Sequence, residues 1–175
     1  TYYDKDAVDF EQRYHQNPAL QRIRQSFRQH TKSYEQTTVL EVGFGPGFDL
    51  VHFAEQFPDR KFYGIDISAE MVRLTQEKID RMGLKNAWVA KGSVEDIKVL
   101  FPAVQFDMIY VFFGALNTVN DLKGAFADLR EVLSSGGRMV LTFVNKYYSG
   151  GTLIELLKLK PKFAFARWKK VWGGY

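Results

Sequence analysis

The sequence contains no cysteine, which excludes a disulfide framework, a thiolate metal site and a cysteine nucleophile together. Its three histidines, His15, His30 and His52, are scattered, so a histidine-rich metal centre is not expected and no metal is assigned. No stretch approaches the ~18 uninterrupted apolar residues of a spanning helix, and the opening Thr1-Tyr2-Tyr3-Asp4-Lys5-Asp6 is too charged for a signal-peptide core. The compartment expected from these features is the cytoplasm. Internal repeats and low-complexity linkers are also missing, which leaves no sequence signal for several domains.

The formal charge of +4 is not spread over the chain. From Gly151 to Tyr175 the cations Lys158, Lys160, Lys162, Arg167, Lys169 and Lys170 face the single acid Glu155, so the rest of the chain is close to neutral. A near-neutral body with a basic tail lacks the broad basic face of a dedicated nucleic-acid reader. Within 175 residues, 46% hydrophobic and 15% aromatic content is enough for one packed core.

Apolar periodicity then orders the elements. Asp4 to Gln16 and Ala19 to Lys32 read as amphipathic helices separated at Asn17-Pro18. Thr37 to Val42 is an apolar run that ends in the turn Gly43-Phe44-Gly45-Pro46-Gly47, and Phe48 to Gln56 suits the following helix. Lys61 to Ile65 predicts a second strand, with Ser68 as N-cap of a helix over Glu70 to Met82 and Gly83 as its stop. Ala87 to Ala90, Phe106 to Phe113 and Arg138 to Val144 predict three more strands, with a helix at Leu122 to Leu133 and a turn at Ser134-Ser135-Gly136-Gly137. The alternation predicts an α/β fold, a Rossmann-like doubly wound and mostly parallel sheet, with an N-terminal helical lid. The expected organisation is a lid at 1–36, a ligand-binding core at 37–148 and a basic cap or tail at 149–175, all in one structural domain.

A glycine-rich turn between a buried strand and a helix lets a ligand approach the backbone and aims the helix N-terminus at it. Dinucleotide binders need a small residue at the third place of G-x-G-x-x-G, so that helix and strand pack closely. That place is Phe48 here, and the dinucleotide pattern fails on sterics. Asp66 ends the second strand about twenty residues beyond the loop, where a carboxylate suits ribose hydroxyls.

The run Glu41-Val42-Gly43-Phe44-Gly45-Pro46-Gly47 resembles the first motif of class I methyltransferases, E/D-x-G-x-G-x-G. Lys91-Gly92-Ser93-Val94-Glu95-Asp96-Ile97 resembles the family segment G-D-A-E-D-L, Phe106 to Asn117 its fourth motif, and Leu133 to Val140 its L-x-P-G-G turn, with Ser135 in the proline's place. The resemblance implies S-adenosylmethionine as cofactor and S-adenosylhomocysteine as product. It implies that Gly43, Gly45 and Gly47 surround the methionine and ribose portions, Glu41 anchors the amino end, Asp66 holds the ribose, and Ile67 and Met71 lie on the adenine. Ser93 and Val94 would line that ring, with Ser93 standing where the family often has an acid. Phe112 or Phe113 would flank the methionine side, or both would fill the core, and Tyr3 of the lid would approach the cofactor carboxylate.

A sulfonium methyl is already a strong electrophile, so a catalytic base is optional, and none is assigned. The expected acceptor is a small molecule. The alternatives are a cofactor-binding module without turnover, and an RNA or protein methyltransferase recruited by the basic tail. Leu153 to Trp172 mixes apolar residues with cations and is split by Pro161, a pattern suited to a substrate cap and less to an anionic membrane surface. The two strands that usually close the sheet after strand five are not visible, so the chain is expected to continue beyond Tyr175 or to cover that edge with its tail.

Overall fold

A computed structural model describes residues 10–143, 145 and 149–165. The chain divides into two compact units, one ending at Thr142 and the other beginning at Phe143. In the first, the described part of helix α1 covers residues 10–15. Helix α2 (Pro18–Lys32) follows, started by the Asn17 side chain, which accepts from the Leu20 amide, and by Pro18, whose missing N–H costs nothing at a first turn.

The sheet consists of β1 (Thr38–Val42), β2 (Lys61–Asp66), β3 (Ala87–Lys91), β4 (Phe106–Val111) and β5 (Leu133–Leu141). Helices α3 (Phe48–Gln56), α4 (Ala69–Met82), α5 (Ile97–Leu100) and α6 (Leu122–Val132) connect them. Strand order is β3-β2-β1-β4-β5, and every pairing is parallel. Both faces of a sheet built this way are covered, and the strand side chains divide accordingly. Leu40, Val42, Ile109 and Val111 pack with Ile97, Ala125 and Leu129 of α5 and α6. Val39, Met108, Tyr110 and Phe112 pack with Leu50, Phe53 and Ile79 of α3 and α4. The doubly wound α/β expectation therefore holds. Since β1 sits beside both β2 and β4, the order reverses between β1 and β4, and the crevice beyond their carboxyl ends is where such sheets bind ligands.

Two boundaries differ from the sequence reading. Strand β4 stops at Val111 because Phe113 and Gly114 take φ of 54° and 71° and turn the chain off the sheet. The expected turn at Ser134-Ser135-Gly136-Gly137 is instead an irregularity inside β5. Pairing steps from Phe106–Leu133 to Met108–Arg138, and the intervening residues bulge out with Gly136 at φ 78°. Ser134 Oγ donates to the Phe106 carbonyl and to Asp107, which pins the bulge.

The second unit contains α7 (Ser149–Leu157) and α8 (Pro161–Ala164), the break expected at Pro161. Trp168, Trp172 and the lid residue Tyr3 lie outside the described residues. Among the described residues, no helix is long and apolar enough to cross a membrane, and no cluster of three His, Cys, Asp or Glu side chains is placed to hold a metal.

Candidate functional site

Gly43, Gly45 and Gly47 have φ of 72°, 56° and 75°, the left-handed region that side chains disfavour. Two of them are also sterically obliged. A Cβ at Gly43 would lie 2.5 Å from the Ala115 Cβ, and one at Gly47 would lie 2.5 Å from Thr75 Cγ2. Gly45 differs, since nothing lies within 4 Å of its would-be Cβ. The middle of the loop thus faces open space, while its two ends are clamped. Thr75 Oγ1 on α4 donates to the Gly45 carbonyl (3.1 Å), and Lys78 Nζ donates to the Pro46 carbonyl (2.6 Å).

Asp66 joins this loop to the next. Its Oδ2 accepts from the Gly45 amide (2.8 Å) and its Oδ1 from the Ser68 amide (2.9 Å), so one buried carboxylate fixes the glycine turn and the entry to α4. Ser68 caps that helix by accepting from the Met71 amide. Ile67, between them, is 42% exposed at the rim, whereas Met71 is buried. After β3, the Ser93 amide and hydroxyl both donate to Asp96 Oδ2 (2.8 and 3.1 Å), closing a capping box, and Val94 is buried beneath it.

Glu41, at the end of β1, is buried and accepts from the Tyr110 hydroxyl (2.8 Å). Burial, and the nearby Asp49 carboxylate, hold it well above the usual carboxylate range, and the Tyr110 bond and Arg24 and Arg28 oppose them. Burial and the same carboxylates push the Tyr110 hydroxyl up. Asp49 itself is fully buried in the first turn of α3, where it pairs with Arg24 and Arg28 of α2. Arg28 also donates from Nη2 to the Phe48 carbonyl (2.6 Å). The guanidinium of Arg24 lies over the rings of Tyr14, Phe48 and Phe113, at 4.7, 4.9 and 4.5 Å.

The structure therefore gathers Glu41, Gly43, Gly45, Gly47 and Asp66 at the carboxyl ends of β1 and β2. Phe112 and Phe113 have different surroundings. Phe112 is buried against Phe27 and Tyr110, and Phe113 is 38% exposed at positive φ beyond β4. Phe48, the residue that spoils the dinucleotide pattern, turns its ring to Phe10 and Tyr14. Sequence reasoning missed Arg24, Arg28, Asp49, Tyr110 and Thr75. The two arginines read as the polar side of an amphipathic helix, and only an acid in the first turn of α3 hinted at a partner. Of the histidines, half-buried His52 is lowered to about 4 by burial, Arg28 and Lys32, so it is neutral at pH 7.

Comparison with known proteins gives the family. The family described as "Methyltransferase domain" matches residues 33–171, and the chain belongs to it. Over 125 residues it is 39% identical to ribosomal RNA small subunit methyltransferase G of Flavobacterium johnsoniae, covering 71% of this chain and 55% of that protein. It is 31% identical to malonyl-[acyl-carrier protein] O-methyltransferase 1 of Ilyobacter polytropus, covering 75% of this chain and 49% of that one. The chain thus spans about half the length of these curated relatives. The DhpI–SAH complex superposes with a TM-score of 0.66 at 19% identity, covering 83% of this chain and 67% of that one, a likeness of fold. The fold is that of class I S-adenosylmethionine-dependent methyltransferases.

Proposed function

We propose that this chain binds S-adenosylmethionine in the crevice beyond β1 and β4 and is the cofactor-binding part of an enzyme that methylates a small molecule. The observation that carries the reading is the Asp66 bridge. A buried carboxylate that orders the open glycine turn and the entry to α4 stands where a ribose would meet both loops. The space beyond Gly45 fits the same ligand, because a nucleoside there approaches bare backbone.

When bound, the cofactor supplies an electrophilic methyl on a sulfonium. What is left for the protein is to hold the acceptor in line and to exclude water. In this reading Asp66 orients the ribose, Glu41 faces the amino end, Ile67, Met71, Ser93 and Val94 border the adenine, and the three glycines give the backbone approach. Phe112 supports the methionine side from the core while exposed Phe113 walls it. Tyr3, on the lid, is the candidate for the cofactor's carboxylate side among residues beyond those described. No side chain is assigned as a base.

The acceptor separates two readings. The relative from Flavobacterium johnsoniae is named for ribosomal RNA, which favours an RNA acceptor as the second reading, while the malonyl-acyl-carrier relative favours a small acyl group. The near-neutral body supports the small-molecule choice. The assay is transfer of a labelled methyl group from S-adenosylmethionine to a small-molecule extract and, separately, to total RNA. Label in the extract alone is the expected result. Label in RNA, falling steeply as salt rises, would overturn it.

A further inference from the structure

We propose that helix α7 docks on an anionic membrane surface through its leucine face, with the lysines at its C-terminal end meeting the lipid phosphates. The face belongs wholly to the second unit and stands apart from the cofactor reading. The sequence pattern leans to a substrate cap, and it is the exposure of the leucines that turns the reading to a membrane.

Helix α7 is inverted relative to the helix of an ordinary soluble protein, which turns its apolar stripe inward. None of its residues is buried, and Leu153, Ile154, Leu156 and Leu157 are between 39% and 76% exposed. At about 100° per residue, these side chains share an arc of roughly 160° on one side of the helix. Gly151, Thr152 and Glu155, on the other side, are the half-buried ones. The helix closes in a Schellman turn, in which the Leu159 amide donates to the Leu156 carbonyl and the Lys160 amide to the Glu155 carbonyl. Glycine usually takes the left-handed place in such a turn. Here Leu159 takes it, at φ 57°, and is 88% exposed. A leucine that strains the backbone there and buries almost nothing contributes little to this fold, and a contiguous exposed apolar face marks a surface for a partner.

Charge decides which partner. Lys158, Lys160 and Lys162 are exposed directly after the leucine face, and Glu155, the acid of the helix, already pairs with Lys158 (3.0 Å). In the sequence, Arg167, Lys169 and Lys170 follow with no further acid, interleaved with Trp168 and Trp172. Apolar side chains flanked by cations, with tryptophans alongside, fit the boundary between acyl chains and anionic headgroups. A second copy of the chain would bring the same cations to the contact and be repelled. RNA would use the lysines and leave the leucines in water. The 9 residues of α7 are too few to span a bilayer, so the helix lies in the interface.

The test is co-sedimentation of the chain with phosphatidylcholine vesicles, with and without phosphatidylglycerol, at stepped salt. The proteins are the wild type, Leu153→Gln/Leu157→Gln and Lys160→Gln/Lys162→Gln. Both pairs are exposed, so urea midpoints should match the wild type and show that each variant folds. The wild type should bind the vesicles that contain phosphatidylglycerol and not pure phosphatidylcholine, and more weakly as salt rises. Each double variant should bind at least about tenfold more weakly, the leucine pair by losing insertion and the lysine pair by losing attraction. A wild type that does not bind the anionic vesicles would overturn the proposal, whether light scattering then shows the leucine face joining two copies or the lysines prove to hold RNA. Undiminished binding by the leucine variant would also overturn it, because charge alone would then account for the attachment, as would equal binding to both kinds of vesicle.

Discussion

Replacing Gly47 by alanine should destabilise the protein for two separable reasons. The residue sits at φ 75°, where an L side chain costs about 1–2 kcal/mol. Its new Cβ would lie 2.5 Å from Thr75 Cγ2 and 2.7 Å from Thr75 Oγ1, and Thr75 is wholly buried, so α4 must move or the threonine must leave its rotamer. Overpacking of this kind costs about 1–3 kcal/mol, for a total of about 2–5. Equilibrium urea unfolding measures it as a lower midpoint at unchanged m-value. The second variant, Gly47→Ala/Thr75→Ala, separates the two causes. Thr75→Ala alone loses the hydroxyl bond to the Gly45 carbonyl, about 1 kcal/mol, but it also removes both atoms closest to the new Cβ. The double variant should therefore be more stable than the sum of the single losses by about 1–3 kcal/mol. Additivity, or a Gly47→Ala loss below about 1 kcal/mol, would refute the steric account.

Gly45→Ala should behave differently. With open space around its Cβ it should cost only the φ penalty, about 1–2 kcal/mol, yet it should weaken S-adenosylhomocysteine binding more than its stability loss suggests; unchanged affinity would show that the ligand does not approach there. Glu41→Gln should flatten the dependence of stability on pH. Because burial raises the Glu41 carboxyl, the folded state holds a proton that the unfolded state releases, so stability falls as pH rises from the ordinary carboxylate range through the raised value. The slope from this one group is at most about 1.4 kcal/mol per pH unit, and urea midpoints taken at stepped pH should fall less steeply in the variant, which keeps the contribution of Asp49, also raised by burial, than in the wild type. His52 acts in the opposite direction. With its value lowered to about 4, protonation in the unfolded state removes stability as pH falls below the ordinary histidine range, and His52→Gln should reduce that loss on acid titration.

Much of the fold was legible because it rests on local signals. Phe48 to Gln56 is a helix over the expected residues, and Asn17, Ser68 and Gly83 mark the helix ends where the sequence suggested. Errors arose where a long-range partner sets the geometry. The four residues Ser134 to Gly137 look like a turn by composition, but Phe106 and Asp107 of the neighbouring strand recruit Ser134 and keep the segment in the sheet. The short α5 follows the Ser93–Asp96 capping box, and four residues are too few for helical periodicity to reveal. The site divides in the same way. Its glycines and Asp66 stand in one recognisable stretch of sequence. The ion pairs of Asp49 join residues 25 and 21 positions apart, and the Tyr110–Glu41 bond spans 69, distances at which a single sequence carries no signal.

Calorimetric titration with S-adenosylhomocysteine, with NADH as control, on the wild type and Asp66→Asn tests whether Asp66 orders a nucleoside-binding crevice. Asparagine keeps the size and one acceptor but loses the charge that strengthens the bonds from Gly45, Ser68 and a ribose. The wild type should bind S-adenosylhomocysteine and not NADH, and the variant should bind it more weakly by about 1.5–3 kcal/mol. Equal affinity in wild type and variant, or binding of NADH in preference, would contradict that role of Asp66.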